Sequence, residues 1–95
     1  MSAAPRRDDV LRPRLASHVH LRFDARRERW VVTAPERLLM PDEIAVEVLL
    51  RCTGAASIEE IAADLALDFD ADEDEIAHDV AKLLHDLIDK GIMVG

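Results

Sequence analysis

Residues 18–23, HVHLRF, place Val19, Leu21 and Phe23 on one side and His20 and Arg22 on the other. Strict alternation of this kind is the mark of a half-buried β-strand. Asp24-Ala25-Arg26-Arg27 reads as a polar turn, and residues 28–33 return as a second strand around Trp30, Val31 and Val32. Pro35 has no N–H to donate and interrupts the pairing. Leu38, Leu39 and Met40, caught between Pro35 and Pro41, are too few for a helix and predict a short third strand at the sheet edge.

Beyond Pro41 the period changes to that of a helix. Asp42 is a suitable N-cap for a first helix to about Cys52, with Gly54 placed to end it in a left-handed conformation. Ser57 and Glu60, three apart, form a capping box for a second helix that ends near Leu67. Asp72, followed by Glu73, Asp74 and Glu75, repeats the capping logic and sets negative charge at the positive end of a helix dipole. This third helix runs to about Lys90, with Gly91 as its stop. It carries two adjacent apolar stripes, one of Ile76, Val80, Leu83 and Leu87 and one of Ala77, Ala81, Leu84 and Ile88. Together they are wider than a helix needs to cover one side of a small core. Either both stripes are simply buried, or the alanine-rich stripe borders a groove. The predicted fold is α+β and winged helix-turn-helix-like, a short three-stranded antiparallel sheet followed by three helices. Residues 1–17, with two prolines and four arginines, read as a flexible basic arm, and residues 18–95 as a single domain.

Charge narrows the function. The chain of 95 residues carries a net charge of −8. Residues 1–37 hold nine arginines against five acids, and residues 38–95 three basic residues against fifteen acids. A winged helix invites comparison with DNA-binding domains, whose affinity comes mainly from neutralising phosphates. The third helix has six acids (Glu73, Asp74, Glu75, Asp79, Asp86, Asp89) against Lys82 and Lys90, so the major groove would repel it. No nucleic-acid partner is expected. No apolar run approaches the ~20 residues of a membrane span, and the lone Cys52 cannot form an intramolecular disulfide. Both fit a cytoplasmic protein.

The candidate chemistry is sparse. Asp68, Asp70 and Asp72 open like a calcium loop, but Glu73 stands where the turn needs glycine and Asp79 where a bidentate glutamate belongs. His18 with His20, and His78 with His85, lack the further ligands a zinc site requires. With three glycines in the chain, there is no phosphate-cradling loop and no nucleophile elbow. The expectation is a protein that is not an enzyme and uses no cofactor or metal.

The remaining question is the apolar edge at residues 38–40. The segments RPRL, HVHLRFD, RWVVTAPERLLMPDEIAVEVLLRCTGAASIEEI and DVAKLLHDLIDKGI, in this order, resemble the PqqD family of pyrroloquinoline quinone biosynthesis over residues 12–92. The positions carrying the resemblance are Trp30, Pro35 with Glu36, Cys52 with Gly54, and Asp79. Thr53 stands where the family often has Asp, and Arg37 where it often has Gly after Pro-Glu. The resemblance implies a peptide chaperone, a recognition element for ribosomally made, modified peptides. It would bind the precursor peptide PqqA and present it to the radical SAM enzyme PqqE. The peptide would add as a strand to Arg37, Leu38, Leu39 and Met40, over a cleft bordered on the third helix by Ala77, Ala81, Leu84 and Ile88. An unpaired edge is a template for another strand, so self-association through it competes with peptide binding. Recognition of a different modified peptide and a non-catalytic winged-helix adaptor are the alternatives.

Overall fold

The alternation within residues 18–23 becomes a strand from His20 onward, with His18 and Val19 left outside it, and the caps at Asp42, Ser57 and Asp72 open helices in the computed structural model, which describes residues 11–95. The elements are β1 (Arg14–Leu15), β2 (His20–Asp24), β3 (Arg29–Ala34), β4 (Arg37–Leu39), α1 (Glu43–Leu50), α2 (Ile58–Asp68), α3 (Glu73–Asp89) and β5 (Met93–Val94). β2, β3 and β4 form an antiparallel sheet in that order, as expected. Each helix begins where its cap predicts. The Asp42 carboxylate accepts from Ala45 N–H at 2.8 Å, and Asp72 accepts from Glu75 N–H at 3.1 Å. α3 ends in a Schellman motif: Gly91 has φ 75°, its N–H donates to Ile88, and Ile92 N–H donates to Leu87.

One expectation changes. The lack of periodicity assigns residues 11–17 to the flexible arm, but they are part of the folded unit. β1 pairs antiparallel with β5, a second sheet that joins the two ends of the domain. Pro13 is fully buried, Ala16 N–H donates to Ile92 O at 3.0 Å, and Gly54 N–H donates to Pro13 O at 3.0 Å. A two-residue strand has no period to detect, so this pairing has no local signature. Residues 1–10, the rest of the expected arm, lie outside the described residues.

The core sits between the inner face of the sheet and the helices, built from aliphatic side chains such as Val32, Val48, Ile58, Ile61, Leu65 and Leu84. Each such side chain contributes about 1.5–3 kcal/mol by leaving water. Arg51, at the end of α1, bonds Glu47 at 2.9 Å, Asp64 at 2.7 Å, and also Asp68. These bonds fix α1 against α2 and raise the guanidinium pKa, chiefly through the hydrogen bond to Asp64.

The capping box of α2 is complete: Glu60 N–H donates to Ser57 Oγ at 3.1 Å, and Ser57 N–H donates to Glu60 Oε1 at 2.8 Å. The Ser57 backbone N–H, more than any other group, holds the Glu60 carboxyl below its ordinary value of 4.5. A carboxyl depressed in the fold stabilises above its unfolded pKa and loses that contribution as pH falls through the folded value. The stability difference between wild type and Glu60→Gln should therefore be constant at neutral pH and shrink below pH 4.5. Melting curves of both proteins from pH 7 downward test this, and a gap that stays constant at acid pH refutes it.

Candidate functional site: an open strand edge above an apolar cleft

β4 is placed by a tight turn. Pro35 supplies the fixed φ of the turn's first central position, and Glu36 takes φ 62° at the second, the arrangement of a type II turn. The turn sets Ala34 opposite Arg37, followed by Thr33 opposite Leu38 and Val32 opposite Leu39. Ala34 and Arg37 close the two-residue turn, and the closing pair of such a hairpin is hydrogen-bonded, so alternation makes Thr33 and Leu38 a non-hydrogen-bonded pair. The N–H and C=O of Leu38 then point away from β3. Among the described residues no strand pairs with that outer side of β4.

Register also decides which side chains face inward. Leu39 shares the face of Val32, which is buried, and packs against the core. Leu38 points to the other face and is 45% exposed. Leu39 and Met40 form one wall of an apolar cleft of about 200 Å³, with Pro41, Ala45 and Leu49 on the α1 side and Leu83 and Leu87 on α3. The guanidinium of Arg29 lies 3.4 Å from the carbonyls of both Met40 and Pro41, bracing the connection from β4 to α1.

The structure brings the predicted edge together with α3, but through the other stripe. Leu83 and Leu87 line the cleft, and neither Ala77, Ala81, Leu84 nor Ile88 does. Leu84 has no exposed surface and is out of a ligand's reach. Ala77, Ala81 and Ile88 pack against the core from partly buried positions, with Ile88 beside Gly95. The stripe of Ile76, Val80, Leu83 and Leu87 is visible in the sequence as apolar. Its rotation toward the sheet edge is not.

The other marked positions are mostly structural. Trp30 is half-buried and meets Phe23 edge-to-face, with centroids 5.8 Å apart. Cys52 is buried, donates to Val48 O at 3.2 Å, and has its thiol pushed up to about 12 by burial. It is packing, not a nucleophile. Gly54 takes φ 88°, but three residues beyond the Arg51 cap, where the loop meets Pro13. Asp79 is exposed at the rim of a second apolar pocket. Among the described residues no group of three or more His, Cys, Asp or Glu is placed to hold a metal ion, and no helix is long and apolar enough to cross a membrane. The geometry offers a backbone edge with an apolar cleft beside it.

Known proteins resemble this chain in sequence and in fold. The family model for coenzyme PQQ synthesis protein D (PqqD) matches residues 29–93. A protein of Rhodopseudomonas palustris (strain HaA2) named PqqA binding protein is 54% identical over 86% of this chain and 80% of its own. The solution structure of the PqqD truncation of Methylobacterium extorquens PqqCD, described as a functional and stand-alone recognition element for ribosomally synthesized and post-translationally modified peptides, superposes with a TM-score of 0.74. It is 37% identical, covering 87% of this chain and 88% of that one. The crystal structure of PqqD from Xanthomonas campestris gives 0.56 at 41% identity, covering 92% and 94%.

Proposed function

We propose, from the premise that this chain belongs to the PqqD family, that it binds the precursor peptide PqqA by strand addition to β4. It acts as a binding module and not as a catalyst, presenting the peptide to the radical SAM enzyme PqqE in the cytoplasm. The observation that carries the reading is the unpaired side of β4 lying directly beside the cleft of Leu39, Leu83 and Leu87. An added strand takes affinity from main-chain hydrogen bonds and specificity from alternate side chains that enter pockets. The peptide-contacting set is then Arg37, Leu38, Leu39 and Met40 with Leu83 and Leu87. The names of the relatives and the recognition-element structure support the choice of ligand.

Amide hydrogen exchange tests the mode. In the free protein the Leu38 N–H, turned to solvent, exchanges fast, while the Leu39 N–H is already held by β3. Saturating PqqA peptide should slow exchange at Leu38 by about tenfold or more, the effect expected of a newly closed hydrogen bond of about 1.5 kcal/mol. Saturable binding with Leu38 exchange unchanged would rule out strand addition at this edge. The same edge can pair with a second copy of the chain, and protection of Leu38 that rises with protein concentration, without peptide, is the signature of that reading.

A further inference from the structure

We propose that the peptide adding to β4 is read by two apolar side chains two residues apart, one in the cleft beneath Leu39 and one in a separate pocket among the three helices. This rests on the strand-addition reading and adds a second point of recognition to it. The second pocket, of about 230 Å³, is lined by Ile44 and Val48 of α1, Phe69 beyond α2, and Ile76 and Leu83 of α3, with Asp79 at its rim. Leu83 is common to both pockets and separates them. Nothing within the described chain fills the second one, and its lips are apolar and open: Ile44 is 48% exposed and Phe69 46%.

Both walls continue from one pocket to the other. On the strand side the lining passes from Leu39, Met40 and Pro41 to Ile44. On α3 it passes from Leu87 through Leu83 to Ile76. A peptide paired with β4 and running on past Met40 therefore follows the same trough. The α3 residues of the two pockets are centred about five to six residues apart, roughly 8 Å at the helix rise of 1.5 Å. Side chains at i and i+2 of an extended strand point the same way and stand about 6.7 Å apart, whereas i and i+4 stand about 13 Å apart. The pocket spacing selects the i, i+2 pair. Charge sets the direction of the trough. Arg37 stands exposed at the start of β4, and Asp79, with exposed Glu75 one turn before it, at the second pocket. The peptide's far end is accordingly basic or neutral, not acidic.

A double-mutant cycle by calorimetry decides the matter. PqqA peptides with each apolar residue singly changed to Ala are titrated into wild type, Ile44→Asp and Phe69→Ser. Both protein changes are at half-exposed positions, and melting curves confirm that the variants fold. Two peptide positions separated by one residue should each weaken wild-type binding about tenfold or more, since each buries an apolar side chain. Ile44→Asp and Phe69→Ser should weaken the unsubstituted peptide by a similar factor, and the loss at just one of the two peptide positions should vanish in them. Wild-type binding that is unaffected by either protein variant overturns the second pocket while leaving strand addition intact. No binding to wild type at all removes strand addition and this inference with it.

Discussion

Leu38→Pro should weaken PqqA binding by at least about thirtyfold while the protein stays folded. Proline removes the N–H that Leu38 offers at the open edge and puts ring carbons where the incoming strand must approach. A lost hydrogen bond with its partner left unsatisfied costs about 1–3 kcal/mol, and the steric block adds to it. The fold tolerates the change because proline is accepted on edge strands where the N–H faces solvent, and Leu38 pairs with Thr33 on that pattern. Leu38→Ala is the control: its side chain lies on the sheet's outer face, 45% exposed, so affinity should change by no more than about threefold (about 0.6 kcal/mol). Calorimetric titration of the three proteins reads both effects. A folded proline variant that binds like wild type would mean that β4 is not the docking edge.

Leu84→Ala should cost about 3–4 kcal/mol, because it opens a cavity at a side chain with no exposed surface in the centre of the core. At about 4–8 °C per kcal/mol for a domain of this size, the melting temperature should fall by about 15 °C or more. Below that melting point peptide affinity should be unchanged, since Leu84 faces the core and not the cleft. The pair of measurements separates the two stripes of α3. A small shift in melting temperature together with lost affinity would place Leu84 at the ligand and reverse the assignment made from burial.

Much of the candidate site is legible in the residues themselves. The apolar run at residues 38–40 between two prolines signals an edge with something to cover it, and the caps at Asp42, Ser57 and Asp72 locate the helix starts to within a residue. Asp24 illustrates a local device that the residue pattern only half discloses. The turn after β2 is evident, but the carboxylate's bonds to the N–H groups of Arg26 and Arg27 and to the Arg27 guanidinium are not. The Arg27 side-chain hydrogen bond is the main reason its pKa is lowered. Glu28 at φ 53° completes that turn in a conformation no residue pattern announces.

Whatever depends on neighbours along the chain can be read from the order of residues: period, caps, turn chemistry, the uneven charge that disfavours nucleic acid, and an apolar edge strand. Whatever depends on partners far apart is decided only when the chain folds. The two stripes of α3 are both apolar, and their hydrophobicity does not say which turns to β4. Residues distant along the chain settle it: Gly95 lies beside both Leu11 and Ile88, and β1 pairs with β5, so that flank of α3 is covered and Leu83 with Leu87 are left for the cleft. Contacts closed across nearly the whole chain leave no trace in a local period, which is why the residues opposite the edge are fixed by tertiary packing alone.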